Sequence, residues 1–433
     1  MKASNRVEQI IIRRSNPNYK TYTKMGHKVN NAYNLGTYYS RQWFFNGAKT
    51  SYTKLNKQFK AMNEAKQNCL YSQLNVQVCQ QILRKINTNF KSFFHSLKQW
   101  KKHSSKFTGR PRIPHYHHKS TACTFWIDNQ DFKFDRWSNT ISFHNSSRCT
   151  SWWKRRLHPI KLDPDADITH IGQITVIPKR YYVELLISYR VTVSDGKSDN
   201  GRYMSIDPGV NNLLCCGFNC NHTHPFIING RLVKSVNQLA NKKIAQTKRC
   251  LMKCNHQYAS RYLDFLFTKR HFKLYYLCHE ASKDVVEYAL SHDISRIVIG
   301  SGATRSKQKS NMGKRNNQNF ISIPFKQLIM DIQYKAENAG IPVIVIEESY
   351  TSQSSFLDNE YPCKKNSDKS RKARGLKNWK RRIKRGLYQS DTDQLINADL
   401  NGALQIMKKV FPKAFNYTQG IAGLVTSPVK INL

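Results

Sequence analysis

Along the 433-residue chain, the spacing of the apolar residues changes from helical to strand-like and then to an alternation of the two. This order of segments limits the folds that the chain can adopt. A short strand is predicted at residues 8–13. Over 22–105 the apolar residues recur at helical spacing, which predicts helices. Over 121–193, short β-branched and aromatic segments bounded by turn residues predict antiparallel strands. After Gly201 strands and helices alternate, which is typical of an α/β layer.

The predicted elements give a multidomain α+β protein. One apolar stripe, predicted to be a helical core face, consists of Ile82, Ile86, Phe90, Phe93, Leu97 and Trp100. The later predictions are a strand at 202–207 with its hairpin partner at 213–217, a buried strand at 296–299, a helix at 325–339 and another buried strand at 341–346. The turn-rich composition of 193–201 places the main boundary there. We therefore expect an N-terminal helical region, a small antiparallel β-barrel or sandwich and a C-terminal α/β domain.

The charge balance points to a polyanionic partner. The chain has 71 Lys and Arg against 27 Asp and Glu, a net charge of +44. Nucleic acid is the natural partner, because Lys and Arg that contact phosphates release condensed counterions. An anionic membrane fits poorly, because the sequence has no long apolar span and no basic amphipathic helix of the interfacial type.

The basic residues are concentrated in several segments. Residues 106–118 are broken by Gly109, Pro111 and Pro114, and they form either a plain linker or a nucleic-acid contact. Residues 364–385 hold 12 Lys or Arg and one acid, so we expect a loop that becomes ordered on nucleic acid. The residues predicted to contact nucleic acid are Arg110, Arg112, Lys242, Lys243, Lys314, Arg315, Arg381, Arg382 and Arg385.

The cysteines argue against a zinc site and for a reducing compartment. The chain has 11 Cys, and no two of them form a Cys-x-x-Cys pair. We therefore predict no intact zinc ribbon. The cysteines show no spacing typical of a disulfide framework, which fits a reducing compartment. The N-terminal apolar run is too short for a signal peptide. We therefore expect a cytoplasmic protein.

Three acidic positions lie where strand or helix ends can direct them to a common point. Asp207 ends a predicted strand, Glu347 and Glu348 follow another, and Asp399 opens a predicted helix. Taken singly, each has an ordinary explanation as a turn, a loop charge or a helix cap. Together they suit phosphodiester hydrolysis, in which two divalent ions activate a water and stabilise the leaving oxygen. Mg²⁺ suits such a site because it keeps waters and takes few carboxylates besides phosphate oxygens.

Several segments around these acids resemble one protein family. SIDPGVNNL resembles the first RuvC motif, and NADLNGALQIMKKV resembles the third. Residues 203–410 are similar to the RuvC-like nuclease domain of the TnpB (OrfB) proteins of insertion sequences. KFTGRPRIPHY and the helical region before it resemble the N-terminal half of the family, so the resemblance spans nearly the whole chain.

The resemblance implies an RNA-guided DNA endonuclease. Its domains would be a WED-like β-barrel (1–21 and 119–197), a helical REC-like region (22–118) and an RNase H-like (RuvC) domain (198–433) with a basic insertion at 364–386. The implied partners are a guide RNA from the end of the element and double-stranded target DNA, in a prokaryotic, nucleoid-associated setting. Trp126, Trp152 and Trp153 are candidates to stack bases, although Trp126 is expected to be a core residue.

The chain departs from the family pattern at two places. Where most members have the second RuvC glutamate, directly after a buried strand, this chain has Gly300. The substitute is Glu348, with Glu347 as the runner-up, and a similar relocation is found in the Fanzor relatives. We therefore expect Asp207, Glu348 and Asp399 to be catalytic and to hold Mg²⁺, as two ions. The second departure is the missing zinc ribbon, of which only Cys363 remains.

Two alternatives to an active endonuclease stay open. The glycine at position 300 fits a nuclease-dead, RNA-guided repressor, although Asp207 and Asp399 are intact. An accessory transposase is the other alternative, since His222 and His224 have the His-x-His spacing, but they are predicted to lie in a turn.

Overall fold

The computed structural model describes residues 2–143, 152–163, 167–193, 196–220, 223–302, 318, 320–362, 382–384, 386–415 and 426–433. The chain divides into two compact units, Met1–Thr192 and Val193–Leu433. Both contain helices and strands, as expected for a mixed α+β protein. The further division into WED-like, REC-like and RuvC-like domains stays a prediction.

The first unit contains four α-helices and seven strands in its described part. The helices are α1 (Asn18–Phe45), α2 (Tyr52–Glu64), α3 (Leu70–Gln73) and α4 (Val76–Lys102). The strands are β1 (Lys2–Arg13), β2 (Phe125–Asp128), β3 (Phe132–Asp135), β4 (Thr140–Phe143), β5 (Ile160–Lys161), β6 (Ile168–Pro178) and β7 (Tyr182–Val193).

The predicted helical stripe is buried over its first half. Ile82, Ile86 and Phe90 of α4 are 2% exposed or less, and α4 packs against α1 and α2. The later members of the stripe are only partly buried. The core of the helical region therefore involves the first turns of α4 more than its basic C-terminal end.

The antiparallel strands of the first unit form two sheets. One has the order β1-β7-β6-β2, and the other has the order β3-β4-β5. The pairs β6–β7, β2–β6, β3–β4 and β4–β5 are antiparallel, as the sequence predicts. Closure of these strands into a barrel stays a prediction.

The expectation that Trp126 is the core tryptophan is wrong. On β2 the burial alternates, so Phe125 and Ile127 point into the core and Trp126 between them is only partly buried. The ammonium of Lys85 lies 5.4 Å from the centre of the Trp126 ring. The buried position is held instead by Trp153, which is 0% exposed and therefore not available to stack a base.

The second unit is built on one six-stranded sheet and four long helices. The strands of the sheet are β8 (Tyr203–Pro208), β9 (Asn212–Phe218), β10 (Phe226–Asn229), β11 (Arg296–Gly300), β12 (Val343–Ile346) and β16 (Val429–Ile431). The helices are α5 (Arg231–Asn255), α6 (Arg261–Ser291), α7 (Phe325–Asn338) and α8 (Ala398–Val410). A small antiparallel sheet consists of β13 (Arg382–Lys384), β14 (Leu387–Gln389) and β15 (Leu395–Asn397).

The strand order of the large sheet is β12-β11-β8-β9-β10-β16. The predicted hairpin is present, since β8 and β9 pair antiparallel, and β8, β11 and β12 run parallel. β11 is buried as predicted. The expectation of a second buried strand is wrong, because β12 lies at the edge of the sheet and Val345 is 39% exposed. An edge strand pairs with one neighbour, so its outer side stays open.

The helices cover the sheet through their apolar faces. The predicted face of α7 is buried, and the helix is followed by Gly340, which adopts the left-handed φ of +72° that favours glycine. α7 packs on α6, and α8 packs on β8, β9 and β11. This last contact brings the N-terminal end of α8 to the edge where β8 and β11 end.

Replacing the buried tryptophan tests the division between core and surface. Trp153→Ala should lower the free energy of unfolding by about 3–5 kcal/mol, because a fully buried aromatic side chain leaves a cavity. Trp126→Ala, the matched control, should cost at most about half as much, because less of its area is buried. Urea unfolding followed by circular dichroism measures both. An equal or larger loss for Trp126→Ala would contradict the assignment.

Candidate active site

The three acidic positions come from three separate elements of the second unit. Asp207 lies near the end of β8, Glu348 lies two residues after β12, and Asp399 lies in the first turn of α8. Because β8, β11 and β12 are parallel neighbours, their carboxyl ends meet at one edge of the sheet. α8 packs on β8 and brings Asp399 to the same edge.

The ionisation of Asp207 is influenced by the charges of the other two acids. Burial raises the pKa of Asp207 well above its ordinary value, and the negative charges of Glu348 and Asp399 raise it further. The guanidinium of Arg382 opposes the rise in pKa. The charges of Glu348 and Asp399 therefore both reach the carboxyl group of Asp207.

A glycine lets α8 approach Asp207 closely. A Cβ atom at Gly402 would lie 2.8 Å from Asp207 Oδ2, so a larger residue there would press on the carboxylate. Gly402 and Ala403 are both buried on this helix, and their small size allows the close approach. The close packing fixes the distance between the helix and the acid-bearing strand.

Asp399 is oriented by three polar contacts. Asn212 Nδ2 donates to Asp399 Oδ2 at 2.6 Å, and Arg382 Nη2 lies 3.3 Å from Asp399 Oδ1. The side chain of Asn397 caps α8 by accepting the backbone N–H groups of Asp399 and Leu400, at 3.0 and 3.2 Å. The helix start and the carboxylate are thus held by different residues.

Glu348 occupies the space beside Gly300, the last residue of β11, and Gly302, two residues further on. A Cβ atom at Gly300 or Gly302 would overlap its carboxylate oxygens. Burial raises the pKa of Glu348, and the charge of Glu347 adds to it. A backbone hydrogen bond from Gly302 and the charge of Lys409 oppose the shift. Its Oε2 is buried and has no hydrogen-bond partner among the described residues.

Glu347, the runner-up acid, has a different environment. Lys409 Nζ lies 3.5 Å from Glu347 Oε2 and donates to the Glu347 backbone oxygen at 2.9 Å, and Ser349 Oγ donates to Glu347 Oε1. Its charge is paired, whereas Glu348 directs its charge toward Asp207. Of the two neighbouring glutamates, Glu348 is the one whose charge raises the pKa of Asp207.

The donor set is all oxygen, which suits a hard divalent cation such as Mg²⁺. The unpartnered Glu348 Oε2 and the desolvated Asp207 carboxyl are groups whose charge a cation would satisfy. As they stand, the described residues include no group of three or more His, Cys, Asp or Glu that could hold a metal ion. The ligand chemistry therefore fits Mg²⁺. To coordinate an ion together, the carboxylates would have to move closer to one another.

The predicted nucleic-acid residues lie in different places. Arg110 and Arg112 are exposed in the first unit, and Lys242 and Lys243 are exposed on α5. Arg382 lies beside Asp399. The remaining predicted residues, Lys314, Arg315, Arg381 and Arg385, fall outside the described residues, as does most of the 364–386 insertion.

Sequence reasoning missed three residues of this site. Asn212 lies five residues after Asp207 in the same hairpin, and that spacing was an available signal. Gly302 and Lys409 carried no such signal, because their contacts with Glu348 and Glu347 arise only when β11, β12 and α8 are packed together.

Two family models match the chain, in consecutive segments of the second half. Residues 186–305 match the OrfB_IS605 model, described as a probable transposase, and residues 325–406 match the Cas12f1-like TNB domain model. The first segment includes Asp207 and Gly300, and the second includes Glu348 and Asp399. These matches support a protein of the TnpB (OrfB) family, as its motifs led us to expect.

Solved structures similar to the chain include three CRISPR nuclease complexes. A Cas12f1–sgRNA–target DNA complex has 14% identity and a TM-score of 0.35, covering 93% of this chain and 98% of its own. A CRISPR–Cas12f ternary complex has 16% identity and a TM-score of 0.33, with coverages of 90% and 80%. The AacC2c1–sgRNA–extended non-target DNA complex has 8% identity and a TM-score of 0.34, with coverages of 86% and 63%. The search of curated proteins gave no match.

A membrane span is not found in the described part of the chain. None of the helices there is long and apolar enough to cross a bilayer.

Neutralising Asp207 should stabilise the metal-free protein at neutral pH. The raised pKa means that, above the ordinary value of 3.8, the folded chain holds a proton that the unfolded chain has released, so stability falls as pH rises through this window. Asp207→Asn should therefore raise the free energy of unfolding at pH 8 by about 1–3 kcal/mol, with a smaller gain near pH 4.

Urea unfolding at several pH values in a chelator measures this effect. Glu287→Gln is the control, because that carboxylate is 62% exposed and only pairs with Lys283 on the surface of α6. A loss of stability in Asp207→Asn at pH 8, or a gain that does not depend on pH, would contradict the assigned environment.

Proposed function

We propose that this protein is an RNA-guided DNA endonuclease of the TnpB type, with a RuvC-like site that hydrolyses target DNA with Mg²⁺. The observation that carries the proposal is that the elements bearing Asp207, Glu348 and Asp399 meet at one edge of the sheet, where the charges of Glu348 and Asp399 raise the pKa of Asp207, in a chain with a net charge of +44. Repelling carboxylates cost stability, so their convergence is best explained by a function that needs them.

The sheet order supports the assignment of an RNase H-like domain. Strands β8, β9 and β10 form an antiparallel meander, and β11 and β12 continue the sheet parallel to β8. A mixed sheet with helices packed on it suits the RNase H-like domain that the sequence resemblance implies. Asp207 lies on β8, an inner strand of this sheet with β9 and β11 as its neighbours.

Asp207, Glu348 and Asp399 would hold the Mg²⁺ ions. When bound, the ions would supply an activated water and stabilise the leaving oxygen of the phosphodiester. The chain's own residues prepare the site: Asn212 holds one oxygen of Asp399, and Gly300 and Gly302 leave room for the carboxylate of Glu348. Arg382, beside Asp399, offers a guanidinium to an approaching phosphate.

The partners follow from charge and family. A guide RNA and a double-stranded DNA would together supply the negative charge that a +44 chain needs, and base pairing would choose the target. The first unit, with exposed Arg110 and Arg112, would contact RNA and the DNA motif through WED-like and REC-like regions.

One observation bears on the nuclease-dead alternative. The glycine at position 300 removes the usual glutamate, which favours a binding protein. However, the carboxylate of Glu348 fills the space where a side chain at position 300 would begin. The acid is thus supplied from the neighbouring strand, which supports an active site. The accessory transposase has only the description of the matching family model in its favour.

Moving the glutamate back to the usual position tests the relocation. Gly300→Ala should lower DNA cleavage strongly, because the new methyl group overlaps the Glu348 carboxylate and contacts Ile406. The double variant Gly300→Glu/Glu348→Gly should regain part of the cleavage, because it returns one carboxylate to the same place. Thermal unfolding of each variant controls for misfolding. A double variant that folds and is no more active than Gly300→Ala would count against a shared position.

Cleavage by the purified protein tests the function directly. With RNA transcribed from the end of its element and Mg²⁺, the protein should cut DNA that matches the guide. Asp207→Ala and Glu348→Gln should each slow cutting by at least about 100-fold while guide-dependent DNA binding is kept. Glu347→Gln is the matched control and should keep cutting, because its carboxylate is paired with Lys409.

The outcomes separate the hypotheses. Guided binding without cutting by the unchanged protein would indicate the repressor. Retained cutting in Asp207→Ala would remove Asp207 from the mechanism. If Glu347→Gln were inactive and Glu348→Gln active, the third acid would be Glu347. Mg²⁺ should also raise the melting temperature of the unchanged protein more than that of Asp207→Ala, which reports on the metal independently of cutting.

A further inference from the structure

The outer face of α6 carries an exposed aromatic stripe that the active site does not use. Its members are Tyr262, Phe265, Lys269, Lys273 and Tyr276, spaced three or four residues apart and therefore on one helical face. The three aromatic residues are 54%, 43% and 66% exposed in chain order. We call these five residues the α6 stripe.

These aromatic residues are not part of the core. The apolar residues that α6 buries in this part are others, Leu263, Leu266, Leu274 and Leu277, which lie on a neighbouring face of the helix. The rings of Tyr262 and Phe265 lie roughly parallel with centres 6.3 Å apart, and Lys269 Nζ lies 5.9 Å from the Phe265 ring centre. Large aromatic groups kept at a surface and flanked by cations are typical of a binding face.

The charge around the stripe favours a polyanion. Helix α5, which packs against α6, has seven Lys or Arg and no acid. In α6 the residues from Arg261 to Tyr276 include four Lys or Arg and one Asp, whereas the acids Glu280, Asp284 and Glu287 follow only after the stripe ends. A second copy of this chain would bring like charges together, which argues against a homodimer contact.

We propose that the α6 stripe binds unpaired nucleotides of the RNA partner. Tyr262 and Tyr276 would stack on bases, and Lys269 and Lys273 would neutralise the adjoining phosphates. Bases are available for stacking only where they are unpaired, and a folded RNA presents such bases in loops, whereas those of a DNA duplex are enclosed. The inference rests on the proposed function in taking RNA as the partner.

Photocrosslinking and affinity measurements on the full chain test this proposal. The probe is a short, unstructured oligouridine that contains 4-thiouridine. Irradiation should join it to the peptide that carries residues 262–276, as located by mass spectrometry. The same deoxy-oligonucleotide should crosslink there less.

Substitutions separate stacking from simple hydrophobic contact. Tyr262→Trp and Tyr276→Trp should keep the affinity for the oligouridine, because they retain an aromatic face. Tyr262→Leu and Tyr276→Leu should each weaken it by about tenfold, since one stacked base is worth roughly that factor. Leu290→Ala is the matched control, an apolar residue on the same helix that is 43% exposed. It should leave binding unchanged.

Salt dependence tests the lysines. Lys269→Gln and Lys273→Gln should each lower the slope of log affinity against log salt by about 0.7, as expected for one lost contact to a single strand. The aromatic variants should keep the slope of the unchanged protein. This pattern distinguishes phosphate contacts from base contacts.

Specific results would overturn the proposal. They are a crosslink that maps outside 262–276, leucine variants that bind as tightly as tryptophan variants, or crosslinking of DNA in preference to RNA. A dimer in solution that Tyr262→Leu dissociates would show that a second copy occupies the stripe instead. If guided cleavage succeeds while the crosslink maps elsewhere, only this inference fails. If the crosslink and the affinities are as expected but no guided cleavage or binding occurs, the proposed function fails and RNA binding by the stripe remains.

Discussion

The repulsion among carboxylates that the fold holds together is the constraint on which the rest of the second unit depends. Asp207 is desolvated and lies in the field of Glu348 and Asp399, and both effects oppose its ionisation. Such an arrangement persists only if packing fixes the elements that carry the acids. The apolar cluster beneath β8, β9 and β11, the close contact of α8 through Gly402 and the capping of α8 by Asn397 provide that fixation.

The same constraint explains the two glycines at the end of β11, Gly300 and Gly302. A glutamate that comes from the neighbouring parallel strand needs space beside Asp207, and side chains at positions 300 and 302 would close that space. Parallel pairing places Gly300 opposite Ile346, only two residues before Glu348. A change from glutamate to glycine at one strand end and the use of a glutamate at the next are therefore two parts of one geometric solution.

Much of this architecture was predictable from the sequence, because its signals are local. The β8–β9 hairpin, the buried β11 and the apolar face of α7 follow from residue periodicity and turn residues.

The errors concern information that is not local. An apolar run such as 341–346 predicts a strand, but its edge position depends on the order of strands that are distant in sequence. Trp126 is only partly buried because the alternate residues Phe125 and Ile127 of β2 take the inward positions. Trp153 is buried because the turn that carries it packs against parts of the chain that are distant in sequence. From their positions at strand and helix ends along the chain, we expected the acids to lie close together in the fold. Only the packed sheet distinguishes Glu348 from Glu347, through the pairing of Glu347 with Lys409.

The edge position of β12 also has a consequence for how firmly the three acids are tethered. Asp207 is carried by a strand with partners on both sides, and Asp399 by a helix packed on three strands. Glu348 follows a strand that is hydrogen-bonded on one side only, and such strands are among the first parts of a sheet to open in local fluctuations. If the three acids form the proposed site, Glu348 is therefore the carboxylate that moves away most readily, and local opening of this edge of the sheet would inactivate the site while the rest of the unit stays folded.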